Sequence, residues 1–179
     1  MPWVSAKEKP ELKPQDWQIN GISAALDDGY DKVKGYALKQ LGEYNLKDLK
    51  SLVKKPEDIA EKAANILKDE KVPANVRYGA ASALGNLGDA AAKYVPDILN
   101  FLKDEKVDAY VRYGAASALG NLGDAAAKYV PDILNFLKDE KVPANVRSGA
   151  ASALGNLGDA AAKYVPDILN FLKDEKVDA

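Results

Sequence analysis

The sequence has no cysteine, no histidine and a single methionine in 179 residues. Without cysteine there is no disulfide framework, no thiolate nucleophile and no zinc site of the cysteine type. Without histidine the commonest metal ligand and the commonest general base are both missing. Long apolar runs are lacking too: none approaches the ~18 consecutive apolar residues of a membrane-spanning helix. The opening Met1-Pro2-Trp3-Val4 also lacks the charged-then-apolar order of a secretory leader. These absences predict a cytoplasmic protein with no membrane partner. An excess of positive charge is missing as well, since 25 Lys and Arg face 27 Asp and Glu for a net charge of -2. Nucleic-acid binding rests on clustered basic residues, so no nucleic-acid partner is expected, and nothing calls for a cofactor.

What the chain does have is the 47% hydrophobic and 29% charged balance of an ordinary folded domain, arranged as a repeat. Val76, Val111 and Val146 stand 35 residues apart, and the units 71–105, 106–140 and 141–175 differ at only three positions. Those positions are Pro73/Asp108/Pro143, Asn75/Tyr110/Asn145 and Tyr78/Tyr113/Ser148. The last residues, Lys176-Val177-Asp178-Ala179, repeat the opening of a unit, which reads as a cut inside a longer array or as an engineered end.

Within one unit Val76, Ala80, Ala83 and Leu87 share a helical face that Ala81 and Leu84 widen. Gly88 stands where a left-handed C-terminal cap is favoured, and Asp89 is placed to cap the next helix. From Ala90 to Asp104 a second amphipathic helix carries Val95, Ile98, Leu99 and Leu102 on its apolar side. Pro96 predicts either a kink in it or a helix start at that residue after a short turn. Helices this short are marginal alone, so neighbouring units must hold them. The N-terminal third is divergent but keeps the pattern, with helices expected near Gln15 to Leu26, Asp31 to Gly42, Leu46 to Val53 and Pro56 to Leu67. The organisation is thus a flexible lead over 1–14, capping repeats over 15–70 that shield one end of the stack, and repeats at 71–105, 106–140 and 141–179.

The run Asn75-Val76-Arg77-Tyr78-Gly79-Ala80-Ala81-Ser82-Ala83-Leu84-Gly85-Asn86-Leu87-Gly88-Asp89, present three times with small changes, resembles the HEAT-like repeats first associated with phycobilisome lyases, whose pattern is VRxxAAxALGxxGD. Pro96, Pro131 and Pro166 also look like that pattern, and the whole is similar to engineered HEAT-like scaffolds. The resemblance implies an all-α, right-handed α-solenoid of stacked helix pairs. It implies too that the helix opening with Val-Arg lines the concave side and the proline helix the convex side. On that basis the concave face is built from Asn75, Tyr78, Ser82, Asn86, Tyr110, Tyr113, Ser117, Asn121, Asn145, Ser148, Ser152 and Asn156, with Gly79 among them. Helical spacing independently puts these residues opposite the apolar stripe.

The tyrosines have two readings, as anchors for a partner or as rings packed on the neighbouring repeat. Arg77, Arg112 and Arg147 with Asp104, Asp139, Glu105 and Glu140 read as a structural ladder between units, because a catalytic site needs unlike groups meeting once. The function expected is non-catalytic binding of a protein or an extended peptide on the concave face. A self-assembling structural array is the alternative, since an apolar end left without a neighbour generates head-to-tail chains. The lyase resemblance alone adds a third, a subunit that holds a bilin during its attachment.

Overall fold

The computed structural model describes residues 14–44 and 56–173, so the expected helix at Leu46 to Val53 and nearly all of the lead lie outside the described residues. The elements are α1 (Asp16–Ala25), α2 (Asp31–Gly42), α3 (Pro56–Lys68), α4 (Ala74–Asn86), α5 (Val95–Lys103), α6 (Ala109–Asn121), α7 (Val130–Lys138), α8 (Ala144–Asn156) and α9 (Val165–Lys173). No strand occurs among the described residues, and none of their helices is long and apolar enough to cross a membrane.

The stretch before each proline decides between the two alternatives for Pro96. A 3-10 helix, Gly88–Tyr94, comes first, and α5 begins at Val95 with Pro96 in its first turn. Proline is tolerated there because its missing N–H has no helical acceptor to lose. The corner ahead of it needs glycine: Gly88, Gly123 and Gly158 have φ of 54°, 58° and 51°, the left-handed region where a side chain is strained.

The other corner follows Lys103. Asp104 turns extended, and its Oδ1 accepts from the Lys106 amide at 2.9 Å. At the start of α6, Asp108 Oδ1 accepts from the Tyr110 amide at 2.8 Å, whereas Pro73 and Pro143 hold the same place before α4 and α8. The first variable position of the repeat is therefore the N-cap of the Val-Arg helix, capped by a side chain only where it is Asp108.

Two layers result. Helices α2, α4, α6 and α8 lie side by side in one; α3, α5, α7 and α9, with the 3-10 segments between them, form the other. The antiparallel pairs are α3 with α4, α5 with α6 and α7 with α8, so each proline helix packs on the Val-Arg helix that follows it. Between the layers lie Leu84, Ile98, Leu102, Leu119, Ile133 and Leu137, all fully buried, each contributing roughly 1.5–3 kcal/mol by leaving water. Ala80, Ala115 and Ala150 are likewise sealed, letting the backbones of the first layer approach.

The approach is closest at the second glycine of each helix. A Cβ on Gly85 would sit 2.9 Å from the Cα of Ala118, and one on Gly120 would sit 2.6 Å from the Cα of Ala153. Only hydrogen fits between those helices. In the N-terminal segment, Ala37 and Leu41 of α2 are buried, whereas Val33 is exposed.

Candidate functional site

Helices α4 and α6 each contain one charged residue, Arg77 or Arg112, and both are buried. Their other polar side chains are amides, hydroxyls and phenols. Asn75, Tyr110, Asn145, Ser148, Ser152 and Asn156 are exposed, and Tyr78, Ser82, Asn86, Tyr113, Ser117 and Asn121 are half-buried, so every residue expected on the concave face reaches the surface of this layer. The structure joins several of them. Asn156 Nδ2 donates to Asn121 Oδ1 at 3.3 Å, linking equivalent positions of two repeats, and Asn145 Nδ2 donates to the Ala109 carbonyl at 3.5 Å.

The tyrosines divide between the two readings. Tyr78 stacks on Tyr110 with ring centroids 4.4 Å apart and an angle of 15°, and lies nearly parallel to Tyr113 at 6.2 Å. Its ring occupies the space over the next repeat's glycine: a Cβ on Gly114 would meet the Tyr78 ring at 2.7 Å, and one on Gly149 would meet the Tyr113 ring at 2.9 Å. The mid-helix glycines thus serve as seats for the preceding repeat's rings. Tyr110 alone is open, at 48% exposure. Burial, then the neighbouring phenols of Tyr110 and Tyr113, raises the Tyr78 phenol above its ordinary value.

The arginines do not pair with the carboxylates expected of them. Nε of Arg77 donates to the Leu67 carbonyl at 2.9 Å, and Nε of Arg112 to the Leu102 carbonyl at 3.0 Å. The residue ten positions back is the end of the preceding helix, whose carbonyls lack partners, so a buried guanidinium caps it. In the third repeat, Arg147 Nε is buried without a hydrogen-bond partner. Asp104 and Asp139 instead close turns, each Oδ1 accepting from the amide two residues on. Ion pairs between units do exist, but from other residues: Lys68–Asp97 at 2.7 Å, Lys103–Asp132 at 3.0 Å and Lys138–Asp167 at 3.1 Å. They run along the outside of the proline-helix layer, away from the uncharged face.

A second feature is one that the repeat pattern does not predict. Between α1 and α2 an open groove of about 430 Å³ is lined by Trp17, Gly21, Ile22, Val33, Tyr36 and Tyr44 among others, with only Gln18 and Gln40 polar. Trp17 is 73% and Tyr36 71% exposed. The expected capping repeats therefore carry an apolar surface of their own. The signal was the aromatic spacing of Tyr36 and Tyr44 with Trp17, in a segment where a sealed end calls for polar residues. Among the described residues no three acidic side chains are placed to share a metal ion.

Helix pairs stacked in two layers at a fixed period, with one uniform face, define an α-solenoid. The chain belongs to the HEAT repeats, whose family model matches residues 60–130 and 95–178. The match is to HEAT repeats as a class and does not single out the phycobilisome-lyase type. No curated protein matches the sequence significantly. Among solved structures, that of Kap121p bound to Pho4p is similar in fold, with a TM-score of 0.63 over 90% of this chain at 17% identity. The chain spans 18% of the length of that protein.

Proposed function

We propose that this protein is a non-catalytic scaffold that binds an extended polypeptide across the face of α4, α6 and α8. The observation that carries the reading is the absence of exposed charge on α4 and α6, set against the Lys–Asp ladder on the other layer. Asparagine amides and serine hydroxyls both donate and accept, which is what a peptide backbone requires of a surface that reads it without regard to charge. Helices pack at about 8–10 Å and an extended chain advances about 3.3 Å per residue, so one repeat spans about three residues of ligand. Asn86, Asn121 and Asn156 then meet backbone groups about three residues apart along the ligand, and Tyr110 supplies the open aromatic anchor of this face. The protein-bound state of Kap121p supports the reading by analogy of fold.

The test uses a library of extended peptides displayed on phage, selected against the whole chain. Enriched peptides should bind the Tyr110→Ala and Asn121→Ala variants at least tenfold more weakly while far-UV circular dichroism is unchanged. Failure to enrich any peptide, or enriched peptides indifferent to both substitutions, would remove this face from consideration.

A further inference from the structure

Near-identical repeats impose a condition on the backbone of an extended ligand. Equivalent side chains of successive units can meet equivalent groups of the ligand only if its side chains return to one side at the spacing of the repeats. A β-strand does not do this: its side chains alternate, so residues three apart point to opposite sides, and its two-residue period is about 6.6 Å. Polyproline II does. Its three residues per turn advance about 9.3 Å, within the about 8–10 Å that separates packed helices.

The polar groups of the face favour the same conformation. Polyproline II makes no internal hydrogen bonds, so its carbonyls are left to accept, and proline brings no N–H in need of an acceptor. Asn121 Oδ1 already accepts from Asn156 Nδ2, which leaves the Asn121 amide as a donor. The only charged residues of α4 and α6, Arg77 and Arg112, are buried, so this surface asks for no charge on its ligand.

The tyrosines supply a template for the contact. At the junction of the first two units the Tyr78 ring is seated over Gly114 and stacks with the Tyr110 ring, 4.4 Å away. At the next junction the Tyr113 ring is seated over Gly149 in the same way, but Asn145 stands where Tyr110 stood, and its amide reaches the Ala109 carbonyl. Helix α8 contains no aromatic residue, so none of its rings covers Tyr113.

We infer, on the reading that this face binds an extended polypeptide, that the ligand is an uncharged proline-rich segment in the polyproline II conformation. One proline ring stacks on Tyr113 beside Asn145, as Tyr110 stacks on Tyr78. A second, three residues along, lies on the open side of Tyr110, which is 48% exposed. Such segments arrive with their conformation already set, and aromatic surfaces are what their rings pack on.

The experiment titrates fluorescently labelled, end-blocked dodecaproline with the whole chain and follows anisotropy. Saturable binding is expected, with none for a Gly-Ser peptide of the same length. Tyr113→Ala should weaken it at least tenfold. Asn145→Tyr should weaken it as much, because the new phenol takes the ligand ring's place; the second unit already carries tyrosine at this position, so circular dichroism should be unchanged. Among alanine-based peptides of that length, one with proline at every third residue should bind at least threefold more tightly than one with proline at every second, although it has fewer prolines. Absence of dodecaproline binding, the reverse order of the two spaced peptides, or equal or tighter binding by Asn145→Tyr would each overturn the inference. If phage-selected peptides without such prolines still bind and still respond to Tyr110→Ala and Asn121→Ala, the scaffold reading stands and the proline assignment alone falls.

Discussion

Glycines 85, 120 and 155 hold the same position in three nearly identical repeats, yet alanine at the last two should change stability in opposite directions. At Gly120 the added methyl carbon would lie 2.6 Å from the Ala153 Cα and 3.1 Å from its carbonyl oxygen. Carbon contacts prefer about 3.5–4.0 Å, so α6 and α8 must part by roughly an ångström. Overpacking of this kind costs about 1–3 kcal/mol, against a helix-propensity gain of at most about 1 kcal/mol, leaving a net loss of up to about 2 kcal/mol for Gly120→Ala. At Gly155 the methyl meets nothing within 4 Å, so only the propensity gain remains. It amounts to about 0.5–1 kcal/mol of added stability, at the lower end because Gly155 is one residue from the end of α8. Urea unfolding followed by far-UV circular dichroism measures both. The native protein is the common reference, since stability in a repeat array is a sum of unit and junction contributions. Shifts of the same sign for the two variants would refute the claim that close backbone approach, rather than helix propensity, governs this position.

The tyrosine stack has a signature in pH. Burial raises the Tyr78 phenol above 10.0 in the folded chain, so the folded state favours the neutral form; that stabilisation is complete below about pH 10 and is lost as pH rises through the folded value. Native protein should therefore lose stability faster than Tyr78→Phe above pH 10, and parallel pH profiles would refute the assignment. Arg112→Ala should cost about 2–4 kcal/mol, since it removes a packed side chain and strands the buried Leu102 carbonyl. By contrast Lys103→Ala breaks a pair whose members are 46% and 41% exposed, and should cost less than about 1 kcal/mol in the same unfolding assay.

Helices, corners and core were legible because three copies repeat each local decision, and a decision such as glycine before the 3-10 segment has one physical cause. Pairing across units was harder to read. Strict repetition fixes that some residue of one unit meets a residue of the next, but it leaves the phase free, and an arginine suited to carboxylates found a helix-end carbonyl ten residues back instead. The carboxylate ladder formed with lysines 29 positions away, which nothing within a single unit specifies. The head groove escaped for a different reason: the divergent segment matches the repeat through Ala37 and Leu41, residues that face the stack, and Trp17 and Tyr36 lie on the side that such a match does not sample.

The two remaining variable positions gain meaning only in three dimensions. Tyr110 and Tyr78 belong to different columns of the repeat, yet they touch at 4.4 Å, so variation at one is coupled to the other across the junction between the first and second units. At the next junction the partner is Asn145, whose amide reaches the Ala109 carbonyl, and Tyr113 is left without a stacked phenol from α8. In the third unit Ser148 replaces the ring altogether, so no aromatic side chain projects from that position of α8 toward whatever lies beyond it.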